Sequence, residues 1–197
     1  MKRFQLPKWL ACGALATGLL LTTAGAFSDM EGHWAEGAIN KWSQEYSIIQ
    51  GYEDGTFRPD ASITRGAFAG IMDRFLHVQA VSPVNTFSDI KGNYWEEAIL
   101  KLNAAGVYLG NNGKALAGDT ITRQQAVTMI ARAFHIDAET TWLPYGDADQ
   151  ISEYASASVA EMTVRGYVND AVDGNFRPTD PITRAEIVNI LGNMIQT

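Results

Sequence analysis

The run Asp173-Gly174-Asn175-Phe176-Arg177-Pro178-Thr179-Asp180-Pro181, leading into Ile182-Thr183-Arg184-Ala185-Glu186, occurs three times in this chain. The first copy is Asp54-Gly55-Thr56-Phe57-Arg58-Pro59-Asp60, followed by Ile63-Thr64-Arg65. The second is a worn version, Asn112-Gly113-Lys114-Ala115-Leu116-Ala117-Gly118-Asp119, followed by Ile121-Thr122-Arg123. The three arginines stand 58 and then 61 residues apart, a near-fixed period that marks an internal repeat.

Each copy has a local physical reading. An Asp-Gly or Asn-Gly turn precedes an extended segment, and then a threonine stands where it can cap a helix. Thr183 with Glu186, and Thr122 with Gln125, have capping-box spacing, whereas Ala67 removes the partner from the first copy. The arginine falls on the first helical position, beside unpaired backbone N–H groups and the positive end of the helix dipole. The sequence therefore offers three anion sites. It also predicts that each arginine is an exposed first-turn residue whose loss costs little stability.

Outside this stretch, composition sets the class. A chain of 197 residues with 46% hydrophobic and 10% aromatic content can build a core. A net charge of −7 and a pI near 4.9 argue against nucleic acid as a partner. Residues 1–26 read as a secretory signal: Lys2, Arg3 and Lys8 lead, Leu10 to Thr23 is the apolar run, and Ala24-Gly25-Ala26 is the cleavage triplet. The apolar run falls short of the ~20 residues of a membrane span. Cleavage takes the net charge to −10 and removes Cys12, the only cysteine, so neither disulfide nor thiolate chemistry is expected in the mature protein.

From Phe27 the unit runs through residues 27–86, 87–144 and 145–197. Phe27-Ser28-Asp29, Phe87-Ser88-Asp89 and Tyr145-Gly146-Asp147 open the three passes. Each leads to a first helix through Gly32-His33-Trp34-Ala35, Asn93-Tyr94-Trp95-Glu96 or Ser152-Glu153-Tyr154-Ala155. Trp34, Ala38 and Trp42 share one face of the first of these, and Trp95, Ile99 and Leu102 one face of the second. Gly51, Gly106 and Gly166 are placed as left-handed caps at their ends. The second helices carry apolar residues at i, i+3, i+4, i+7 and i+8, as in Phe68, Ile71, Met72, Phe75 and Leu76. A unit of about 55 residues with two short helices is marginal alone, so the stripes are expected to meet in one shared core.

Phe-Ser-Asp, Gly-His-Trp-Ala, Asp-Gly-Thr-Phe-Arg-Pro and Ile-Thr-Arg-Ala-Glu, in that order across three repeats, resemble the S-layer homology domain of bacterial surface proteins. The resemblance covers essentially all of the mature chain. It implies an all-α fold, three helix-loop-helix repeats in a pseudo-threefold bundle with projecting prongs and inter-repeat grooves. It also implies a secreted protein associated with the cell wall or the S-layer. The implied function is non-covalent anchoring to an anionic, pyruvylated secondary cell-wall polysaccharide or to modified peptidoglycan.

Carried over by position, the motif arginines are Arg65, Arg123 and Arg184. A wall carboxylate is a small anion that suits arginine's paired donors. Trp34, Trp95 and Tyr154 sit at equivalent places and could present a flat face to a sugar ring, or serve as core; Tyr154 departs from the tryptophan pattern. Arg58 and Arg177, in the Phe-Arg-Pro loops, are further candidates, and repeat two has no such loop, so the grooves cannot be equivalent. No catalytic constellation, cofactor motif or metal-ligand spacing is present: the Asp-Gly loops lack calcium's oxygen density, and His33, His77 and His135 share no pattern. The alternative reading is a surface-layer assembly or protein-interaction module, calcium-assisted, with other surface-layer proteins as partners.

Overall fold

A computed structural model describes residues 27–45, 49–78, 84–169 and 173–196. The N-terminal signal and its cleavage triplet lie outside them. Among the described residues there are six α-helices and no strand beyond isolated bridges, so the fold is all-α. In chain order these are α1 (Glu36–Asn40, continuing into a π-helical turn, Lys41–Glu45), α2 (Arg65–Leu76), α3 (Glu96–Ala104), α4 (Arg123–Ala133), α5 (Glu153–Val164) and α6 (Arg184–Gln196). A 3-10 turn, Ala148–Gln150, precedes α5.

The second helices start as their sequence dictates. Thr64 accepts from the Ala67 amide at 3.2 Å. Thr183 and Glu186 form a complete capping box, at 3.2 and 2.8 Å, and the Gln125 side chain reaches back to the Thr122 amide at 3.1 Å. Gly106 and Gly166 take φ of +73° and +71°, and the residues after them bond back to Leu102 and Met162, closing Schellman caps. Gly51 differs: its φ is not positive, and a Cβ there would stand 2.2 Å from the Phe27 ring. Close approach, not handedness, requires glycine at that point.

The packing partner of each first helix belongs to a different repeat. α3 packs on α2, α5 on α4, and α1 on α6. The amphipathic stripes follow from this arrangement. Phe68, Met72 and Phe75 of α2, Ala126 and Ile130 of α4, and Ile187, Leu191 and Met194 of α6 join one continuous core. Trp42 and Phe75 of the first repeat and Phe134 of the second form a run of ring contacts at 6.1 and 5.7 Å. In α1 the buried face is Ala35, Ile39 and Trp42; Trp34, expected on that stripe, is 61% exposed.

Backbone bonds close the same cycle. Arg65 and Gly66 donate to the carbonyls of Asp119 and Ala117, Arg123 and Gln124 to those of Asp180 and Pro178, and Arg184 and Ala185 to those of Ala61 and Pro59. Antiparallel bridges Thr64–Thr120, Thr122–Pro181 and Ser62–Thr183 reinforce the three seams.

Candidate functional site

The loop ahead of each second helix contains a backbone turn that L-residues avoid. Arg58, Leu116 and Arg177 have φ of 57°, 56° and 57°. An aspartate from the start of the same repeat holds each turn in place. Asp29 accepts from the amides of Phe57 and Arg58 at 2.8 and 2.7 Å, Asp89 from Ala115 and Leu116 at 2.7 and 2.9 Å, and Asp147 from Phe176 and Arg177 at 2.8 and 2.7 Å. For Asp29 and Asp89 burial pushes the carboxyl up, but the paired amide donors outweigh it and the net shift is downward. The sequence marks these aspartates only as openers of each repeat. Their recurrence 27 to 30 residues ahead of the strained position is the signal that finds the clamp.

Two of the clamped loops present carbonyls to motif arginines, Ala115 to Arg65 and Phe57 to Arg184, and the third sets the Phe176 ring 5.3 Å from the Arg123 guanidinium. Arg65 Nε donates to the Ala115 carbonyl at 3.2 Å, with the guanidinium over the Tyr108 ring. Arg123 Nη2 donates to Asn169 at 3.0 Å, and its Nη1 lies 3.1 Å from Glu186 Oε1. Arg184 donates from Nε to Phe57 and from Nη2 to Gln50, both at 2.8 Å, with its guanidinium over the Phe57 and Tyr52 rings. All three residues are buried, with 8–9% exposure, so the expectation of exposed first-turn arginines does not hold. The helix-start amides are also occupied, since the neighbouring repeat's carbonyls take the first two of each helix. An anion must therefore be held by side chains.

Arg65 lines a cleft of about 450 Å³ between the Leu109–Asn111 and Asp119–Thr120 segments and the face of α4 carrying Gln125, Thr128, Met129 and Arg132, with Tyr154 at its edge. Its size is set by two residues per helix. Counted from the motif arginines, α2 has Gly66 and Gly70 where α4 has Gln124 and Thr128. The Trp95 ring lies on that glycine face: a Cβ at Gly66 or Gly70 would come within 2.3 or 2.2 Å of it. On α4, Thr128 turns its hydroxyl to the Gln124 carbonyl and Gln124 accepts from the Ser152 amide. Tyr154 is left 52% exposed at the cleft edge.

The S-layer homology domain model matches residues 26–69, 86–127 and 144–188, well over half of the chain. The chain belongs to the S-layer homology family. It is 27% identical over 176 residues to an amylopullulanase of Thermoanaerobacterium thermosulfurigenes, covering 86% of this chain and 9% of that protein. It is 27% identical to the surface-layer 125 kDa protein of Lysinibacillus sphaericus, covering 76% of this chain and 13% of that one. It is 35% identical over 114 residues to a cellulosome-anchoring protein of Acetivibrio thermocellus, covering 54% and 25%. The chain thus spans a quarter or less of each of these relatives.

The candidate residues of this S-layer homology chain separate by position. Arg65 lines the cleft, while Arg123 and Arg184 are engaged between repeats. Trp95 is half-buried on α2, and Trp34 is exposed beside His33. Arg58 is exposed, stacks 3.9 Å over the Tyr52 ring and pairs with Asp54 at 2.8 Å. The Thr56 hydroxyl and that guanidinium hold Asp54 down to about 2. Arg177 is exposed. Arg132, which lines the cleft with Tyr154, stands outside the residues singled out from the sequence.

Proposed function

We propose that this chain attaches non-covalently to the cell wall by seating an acidic group of a wall polysaccharide, or of modified peptidoglycan, in the Arg65 cleft. The observation that carries this reading is the contrast among the motif arginines. Arg123 pairs with Glu186 and Arg184 donates to two carbonyls, whereas Arg65 donates one Nε bond, lies over the Tyr108 ring and lines the cleft beside Arg132. Charge-assisted bonds to a carboxylate need such a pre-placed, partly desolvated guanidinium. Membership of the S-layer homology family, and relatives named for surface layers and cellulosome anchoring, support a cell-surface role. The role is attachment rather than catalysis, with the enzyme-named relative matched over only 9% of its length.

Cosedimentation with native walls and with walls stripped of secondary polysaccharide tests the proposal. Saturable binding to native walls that falls about tenfold to a hundredfold in Arg65→Ala is expected, which corresponds to roughly 1.5–3 kcal/mol. Binding that survives both stripping and the substitution would move the function to protein–protein assembly.

A further inference from the structure

We infer that Tyr108, fully buried and outside the lining of the cleft, is a positioning residue whose hydroxyl keeps Arg65 from being tied down by its own loop contact. The inference rests on the anchoring reading and names what sets Arg65 apart from the other motif arginines. Tyr108 stands two residues before the glycine packed on the opening phenylalanine, where repeat one has Ile49, and two after the capping glycine, where repeat three has Val168. Both counterparts are buried, and neither side chain can form a hydrogen bond. In those repeats the motif arginine reaches the carbonyl of the following residue: Arg184 Nη2 donates to Gln50 at 2.8 Å and Arg123 Nη2 to Asn169 at 3.0 Å. Among the described residues Arg65 makes no such bond to Leu109, which holds the matching place.

The difference centres on one oxygen. Tyr108 donates its hydroxyl to the Ala115 carbonyl at 2.6 Å, and Arg65 Nε reaches the same carbonyl at 3.2 Å. The matching carbonyl of repeat one, on Phe57, receives Arg184 Nε at 2.8 Å, with Ile49 offering no rival donor. The phenol therefore holds the shorter bond and leaves the guanidinium the longer one. Its ring, centred 4.9 Å from the guanidinium carbon, stands where Arg65 would have to settle to copy Arg184. Tyr108 is itself fixed. Its amide donates to the Leu102 carbonyl, its carbonyl accepts from Asn103 Nδ2 at 2.7 Å, and Phe87 meets its ring edge-on at 6.0 Å. Asp89 anchors the other partner by accepting from the Ala115 amide at 2.7 Å. Burial pushes the phenol up despite Arg65 beside it, so the hydroxyl keeps its proton and goes on donating across the neutral range. The Nη groups of Arg65 are thereby left for charge-assisted bonds to an incoming anion.

The test is Tyr108→Phe in the full-length chain, which keeps the ring and its packing and removes only the hydroxyl. With the Ala115 carbonyl to itself, Arg65 Nε should close on it as Arg184 Nε does on Phe57. In a proton–nitrogen NMR correlation spectrum the Arg65 Hε resonance, assigned by its absence in Arg65→Ala, should move downfield while that of Arg184 stays in place. Cosedimentation with native walls should weaken about threefold to tenfold, because the guanidinium is then drawn toward the loop. In an Arg65→Ala background the same substitution should change wall binding no further, a coupling that a loosened loop alone would not produce. An unmoved Arg65 Hε, wall binding equal to that of the unsubstituted chain, or a loss that adds to that of Arg65→Ala overturns the inference. The two readings fail separately. Loss in Arg65→Ala with full binding in Tyr108→Phe leaves anchoring standing and removes this role, whereas no loss in Arg65→Ala removes the cleft from anchoring and Tyr108 with it.

Discussion

Arg184 and Arg65 occupy the same motif position, but one is held as a strut while the other borders the cleft to which the proposed function assigns the ligand. Around Arg184 the Phe57 and Gln50 carbonyls accept at 2.8 Å, two rings flank the guanidinium, and Trp95 covers the neighbouring helix face. Around Arg65 one carbonyl accepts at 3.2 Å and the equivalent helix face carries Gln124 and Thr128 beneath open space. The difference arises less from the arginines than from two glycines on α2. One motif position is thus enclosed by packing in one seam and left at a cleft in another.

The strongest way to break this comparison is Arg184→Ala. Two carbonyls facing a buried site would lose charge-assisted donors, so stability should fall by about 3 kcal/mol, read as a lowered Tm or denaturation midpoint. Arg65→Ala should cost about 1 kcal/mol by the same measurement, because one longer bond is lost at a cleft edge. Equal losses would dissolve the distinction between strut and contact.

Gly70→Ala comes next, with an expected loss of about 2 kcal/mol, since Trp95 must leave its seat. The same change in a Trp95→Ala background should cost much less. A full additive loss in the double variant, measured by a chemical-denaturation cycle, would show that Trp95 does not fill that face.

The smallest effect sharpens the comparison through the loops that both seams share. Asp29 and Asp89 have lowered folded-state pKa values, below the ~3.9 of an unfolded aspartate. Their stabilisation is therefore fully present above the unfolded value and is lost as pH falls through the folded one. Asp89→Asn should reduce stability by roughly 1 kcal/mol near neutrality and flatten the decline below about pH 4. An unaltered acid profile would show that the clamp does not govern acid sensitivity.

Local features of the fold were legible because they rest on short-range chemistry. Thr183 with Glu186 and Gly106 with its flanking apolar residues act within one turn, and their spacing alone specifies the cap. The pairing of α3 with α2 and of α1 with α6 could not be read that way, because every first helix has three chemically similar second helices to choose from. The arginines were located correctly on the first helical turn but not in depth: exposure at that position depends on a loop donated by another repeat. Trp34 and Trp95 are alike in sequence, and only the Gly66–Gly70 pair, four residues apart on one face, distinguishes which of them finds a seat.

The contact of α1 with α6 has a consequence for how such a protein can lengthen. In an open stack of repeats the end units each expose one face and need a polar cap, and new units can be added at either end. Here the face that the first repeat would leave bare is covered by the last, so the described residues offer no free end on which to stack another unit. Inserting or losing a single repeat would open two seams at once. Growth of this architecture is therefore expected in complete sets of three.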